Sequence, residues 1–256
     1  MSSSLSIGPR TTARHAGPLS ALDHLPLWPL GLIAALLFVR TALFLLLDVG
    51  LFAALPQAWP GSQIYLNALL IIPDLLTIGA VAYLLHRRGG SIREVLGRFR
   101  PADLGWGLLL GLIMLAGFLA ATFAGNLIVY GGAPPAPTGG LPQVPLWVGI
   151  GAMIAPLTIA TAERLTYGIG QDQLTRRFGT PAALIVVAAF FALQHAPLVL
   201  GGGADAVASK LIATFGAGLL FGGLLLWRRR VWPLIIAHWL LDILGLGLPT
   251  LALALS

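Results

Sequence analysis

Leu27–Val49 reads LWPLGLIAALLFVRTALFLLLDV, a run in which only Arg40 and Asp48 are charged. A helix needs about 20 consecutive apolar residues to cross the hydrocarbon of a bilayer, and this run supplies them. Outward from it the same signature recurs at Ile64–Leu85, Leu104–Tyr130, Val144–Ala162, Pro181–Leu200, Ala208–Trp227 and Val231–Leu246. The apolar residues come in continuous blocks and do not alternate, so the spans are helices and not barrel strands. The 256 residues are 57% hydrophobic and 9% charged, where a soluble domain carries about 25% charge. The expected fold is therefore all-α, a polytopic transmembrane helix bundle of about seven spans. Gly247–Leu255 either extends the last helix past Pro249 or lies at the interface.

The charges fix an orientation. Thirteen of the fifteen basic residues follow the second, fourth and sixth spans or precede the first, and the loops at 50–63 and 131–143 carry none. The positive-inside rule then puts the N-terminus in the cytoplasm and the C-terminus outside. A missed helix would scramble this alternation, so it also supports the span count. The net charge of +6 sits in these short loops as topology anchors, Arg228–Arg230 among them, and nucleic acid is excluded as a partner. Without cysteine there are no disulfides, thiolate metal sites or Cys nucleophiles.

Residues 1–24 are polar and rich in Ser and Thr, and read as a flexible cytoplasmic tail; an organellar transit peptide is the lesser reading. Residues 25–256 form one transmembrane domain. Gly131–Pro145 is dense in Pro and Gly and reads as an external loop. Ser91–Asp103 fits a short interfacial helix with Val95, Leu96 and Phe99 on one face. Gly107/Gly111 and Gly218/Gly222 have GxxxG spacing, which points to close helix packing. The Arg-, Ala-, Leu- and Gly-rich usage suits an integral protein of a bacterial plasma membrane.

Ionisable groups inside a membrane are costly and are functional candidates by default. They are Arg40, Asp48, Asp74, Glu163, His195, His238 and Asp242; Asp48 and Asp74 are expected to be solvated near span ends. Glu163 and Tyr167 are four apart where the fourth span meets the cytoplasm. Phe191 and His195 are four apart in the fifth, and His238 and Asp242 four apart in the last, so each pair shares a helix face. Two histidines and two carboxylates on three helices can converge on one pocket. Such a pocket can hold a divalent metal such as zinc through His195, His238 and Glu163. It can equally activate water and stabilise an oxyanion without metal. Taken singly, each group is as readily an interhelical hydrogen bond as a catalytic one.

The ordered set resembles the CPBP family, the CAAX-protease and bacteriocin-processing (Abi) family of intramembrane endopeptidases. Its pattern is Glu-Glu-x-x-x-Arg, then Phe-x-x-x-His, then His-x-x-x-Asn or Asp, each on its own membrane helix. Phe191/His195 and His238/Asp242 match the second and third motifs, and Phe215 to Pro233 looks like the family's last two helices. The resemblance covers residues 144–246. In the first motif Glu163 matches the second Glu, but Ala162 stands in place of the first and Tyr167 in place of the Arg. The resemblance implies catalytic roles for Glu163, His195, His238 and Asp242, with the missing first Glu the family's favoured base. It makes Glu163 or Asp242 the substitute base, and Arg164 a partial replacement for the missing Arg.

The leading expectation is an intramembrane endopeptidase that hydrolyses a peptide bond in a membrane-associated protein or peptide. Its cavity would open toward the cytoplasmic half. The alternative is an inactive pseudoprotease scaffold that binds membrane partners. Lower stands a bis-His haem or quinone protein using His195 and His238. A transporter would show paired repeats, and none is visible. The motifs give residues 1–130 no role.

Overall fold

A computed structural model describes residues 17–56, 61–135 and 144–256. Among the described residues the secondary structure is helical, with no strand. The helices are α1 (Leu30–Ala54), α2 (Leu66–Leu69), α3 (Ile71–Arg87), α4 (Ile92–Leu96), α5 (Ala102–Tyr130), α6 (Leu146–Phe178), α7 (Thr180–Leu193), α8 (Gly203–Arg228), α9 (Val231–Asp242) and α10 (Leu248–Leu255). Among the described residues six helical stretches are long and apolar enough to cross a membrane. Large apolar side chains stand out on them, Leu46, Leu112, Phe123 and Ile128 being more than half exposed. Lipid is the solvent that tolerates such a surface.

All seven expected spans are present as helices, with two departures. The fourth was expected to end at Ala162, where polar residues begin, but α6 runs 33 residues to Phe178, about 50 Å. It continues because the polar side chains from Glu163 to Arg176 are buried and largely partnered inside the bundle. Glu163 accordingly lies midway along α6 and not at its end. The fifth span is shorter than expected. α7 has 14 residues, about 21 Å, and gives way at Gln194 to a tight turn over Pro197–Gly202. The last span continues past Asp242 through a wide turn at Ile243–Gly247 into α10, so Gly247–Leu255 extends it.

α6 is the central element and touches α1, α2, α3, α7, α9 and α10. α5, α8 and α9 pack together beside it. Leu37, Leu85, Leu110, Met114 and Leu165 form the core where these helices meet. The stretch expected as a loop at Gly131–Pro145 lies largely outside the described residues. At Ser91–Asp103 only α4 is helical before α5 begins, started by a capping box between Ser91 and Glu94. The chain between them is tied down by Arg230, whose guanidinium donates to the Arg98 carbonyl at 3.0 Å and grips Asp103, at the start of α5, at 2.6 and 2.9 Å. That hydrogen-bonded carboxylate raises the Arg230 guanidinium above its ordinary value.

The expected tail divides. Met1–Ala16 lies outside the described residues, whereas Gly17–Trp28 is pinned along the end of α6. Leu19 N–H donates to Asp172 (3.1 Å) and Trp28 N–H to Gln173 (2.8 Å). Arg176 donates to the carbonyls of Leu22, Asp23 and Leu25, and Arg177 to that of Trp28. Leu22, Leu25 and Trp28 are buried beneath. This strap explains how a polar helix end can be buried: Asp172 Oδ1, Gln173 Oε1 and the Arg176 and Arg177 guanidiniums are taken by its backbone groups.

Both GxxxG pairs serve packing. A Cβ on Gly107 would stand 2.5 Å from Ile236 on α9, and one on Gly218 would stand 2.9 Å from the Ala188 backbone and 3.2 Å from the Phe191 ring on α7. Gly218→Val is expected to lower the thermal midpoint in detergent, at a cost of about 1–3 kcal/mol, because backbone and ring must both shift. Gly223→Ala on the same helix, with open space around it, is the comparison and should leave the midpoint unchanged.

Candidate active site

The site is built around one carboxylate on α6. Glu163 is 1% exposed, and both its oxygens are engaged. Oε1 accepts from Gln194 Nε2 at 2.7 Å and lies 3.5 Å from Arg40 Nη2. Oε2 accepts from Arg164 Nη2 at 3.5 Å and faces His238 Nδ1 at 3.4 Å. The other side of the His238 ring faces Asp242, with Nε2 to Oδ2 at 3.4 Å. A chain of Glu163, His238 and Asp242 thus runs from α6 across α9, one helical turn separating its last two members.

His195 sits just past the end of α7, half-buried. Its Nδ1 is 2.7 Å from the Phe191 carbonyl oxygen. A carbonyl only accepts, so Nδ1 carries the proton and Nε2 keeps a free lone pair. The Phe191 ring packs against both histidines, 4.9 Å from His195 and 6.5 Å from His238, and Phe221 lies 4.6 Å from His238. The Arg164 guanidinium lies over Phe221 at 3.8 Å. Arg164, Tyr167, Phe191 and Phe221 line a small cavity with room for about one water.

The structure places three of the four motif residues in direct sequence, and His195 next to them through Phe191. Ala162 is fully buried and brings no polar group. Tyr167 donates a long hydrogen bond to the Phe190 carbonyl at 3.4 Å. Arg164 does reach Glu163, but a second arginine, Arg40 on α1, reaches it too. Asp74 was expected near a span end and solvated; it is fully buried and pairs with Arg40 at 2.8 Å. Asp48, expected likewise, is buried and bonded to Gln63 at 3.1 Å. Two partners of Glu163 were not singled out from the motifs, Gln194 and Arg40. Gln194 adjoins the second-motif histidine, and Arg40 is one of two charges in an apolar span.

A zinc site of His195, His238 and Glu163 does not fit. Among the described residues no three His, Cys, Asp or Glu side chains stand where they could share one metal ion. Both His238 nitrogens face carboxylates, and two guanidiniums already neighbour Glu163 and would repel a cation.

Residues 142–244 match the family described as type II CAAX prenyl endopeptidase Rce1-like. No curated protein and no solved structure matches the chain. The matched stretch carries Glu163, His195, His238 and Asp242 together, so α6 to α9 are the part of this membrane protein shared with the CAAX-protease (CPBP) family, as their ordered motifs indicate.

Proposed function

We propose that the chain is a CAAX-type intramembrane endopeptidase that cleaves a membrane-associated protein or peptide. The observation that carries this reading is the row Glu163, His238 and Asp242, its first two members buried, with His195 alongside. Peptide hydrolysis needs a base to take a proton from water, a donor for the carbonyl oxygen as it becomes an oxyanion, and an acid to protonate the departing amine. Glu163 takes the water proton through Oε2 and returns it to the amine. His238, oriented by Asp242, donates to the oxyanion. His195 Nε2, with its free lone pair, orients the attacking water. The arginine-rich face, including the end of α6, is the cytoplasmic one by the positive-inside rule.

A second reading is favoured by one observation, Ala162. Where the family places its first Glu, this chain offers a methyl group, and loss of a catalytic base removes about 10²–10⁴-fold in rate. The chain is then a scaffold that holds membrane partners in the old pocket. One experiment separates the two. The protein, its Ala162→Glu form, and its His195→Ala and His238→Ala forms are compared in liposomes on quenched membrane-peptide substrates. The proposed enzyme cleaves as it stands and loses cleavage in both histidine variants. Cleavage by the Ala162→Glu form alone would favour the scaffold.

A further inference from the structure

We infer that Arg40 on α1, held by Asp74 on α3, positions the Glu163 carboxylate, so that the part of the chain outside the family match completes the active site. The inference rests on the hydrolytic reading above. An arginine in the middle of an apolar span is costly and persists only where it is paired. Arg40 is fully buried, and two carboxylates and a carbonyl meet the Nη1 and Nη2 ends of its guanidinium. Nη2 lies 2.8 Å from Asp74 Oδ1 and 3.5 Å from Glu163 Oε1, and Nη1 donates to the Ile159 carbonyl at 3.4 Å. Its carbon end lies 4.9 Å from the Phe44 ring. Asp74 is itself held, since Oδ2 accepts from the Thr158 hydroxyl at 3.0 Å.

The two oxygens of Glu163 are treated differently. Oε1 is clamped between Gln194 and Arg40, and Oε2 faces His238 and Arg164. Clamping one oxygen stops the carboxylate from rotating and keeps the other aimed at His238. Arg164 does not do the same job, because its guanidinium reaches the working oxygen and lies over the Phe221 ring. The planar guanidinium holds Nη1 on the Ile159 carbonyl while Nη2 faces both carboxylates, a fixed fork that the flexible lysine ammonium lacks. Asp74 alone would satisfy the charge of Arg40; the approach to Glu163 is what links this pair to the chemistry.

The test uses the full chain in liposomes, with Arg40→Gln, Arg40→Lys and Asp74→Asn variants. Two readouts are taken: kcat and KM on a quenched membrane-peptide, and the Glu163 carboxylate band in isotope-edited infrared spectra, assigned with Glu163→Gln. The expected result for Arg40→Gln is a fall in kcat of about 10²-fold, the scale of a misplaced reacting group. KM stays unchanged and the Glu163 band moves. Arg40→Lys recovers part of kcat, and Asp74→Asn shows a smaller fall of the same kind. A folded Arg40→Gln protein with native kcat and an unmoved band overturns the inference, as does a fall in thermal stability with kcat retained. If Arg40→Gln does not fold, Arg40→Lys and Asp74→Asn carry the same two outcomes. If neither the natural protein nor its Ala162→Glu form cleaves anything, the hydrolytic reading fails on its own. The infrared band then decides: movement in the variants keeps Arg40 as the group that aims Glu163, and a fixed band removes it.

Discussion

Glu163→Gln is expected to lower turnover by about 10²–10⁴-fold. Glutamine has the shape of glutamate, keeps one accepting oxygen and still fits the buried pocket, but it cannot take a proton from water. It also sets an amide donor against existing donors, since Gln194, Arg40, Arg164 and His238 surround the carboxylate. Some stability is lost with the charge, and Glu163→Ala should lose more, because it leaves the buried Arg164 guanidinium without the carboxylate it pairs with and takes one of two carboxylates from Arg40. Turnover in liposomes and thermal midpoints in detergent, measured together, separate the two effects. A folded Gln variant that turns over at the native rate would remove Glu163 from the chemistry and leave His195 Nε2 as the base.

Asp74→Ala should destabilise the protein by about 3–5 kcal/mol, the cost of leaving one member of a buried ion pair without its partner. Arg40 and Asp74 are both fully buried and 2.8 Å apart, and neither can reach solvent. The double variant Arg40→Met/Asp74→Leu should recover most of that loss, since an apolar pair of similar volume carries no desolvation penalty. Both values come from equilibrium unfolding in mixed micelles. A single Asp74→Ala protein as stable as the natural one would mean that water reaches Arg40 and that the site is wetter than its burial implies.

The helical architecture is legible in the sequence because lipid leaves the backbone few choices. What hydropathy misreads is polarity that is buried. It stops the fourth span at Ala162 because Glu163, Arg164, Gln171 and Asp172 read as an exit into water. The helix goes on because partners from the strap, α7 and α8 receive those groups, and such partners are distant in the chain. The misplaced Asp74 has the same origin: a carboxylate in a span is solvated unless a buried cation answers it, and the answer, Arg40, lies on another helix. The i,i+4 pairs were visible because one helix holds both members. That His238 reaches Glu163 across two helices was legible only as an order of motifs, and Gln194 as a ligand of Glu163 was not legible at all.

The strap has a consequence for how the chain is made. Its contacts join residues about 150 positions apart, as between Leu19 and Asp172. A ribosome adding about 5–20 residues per second needs roughly 8–30 s to cover that separation. Through that interval Gly17–Trp28 has no partner to dock on, and the acceptors and donors at the end of α6 are left open until the two meet. Closing the strap is thus a late event in biogenesis, one that joins Gly17–Trp28 to a helix end made about 150 residues later.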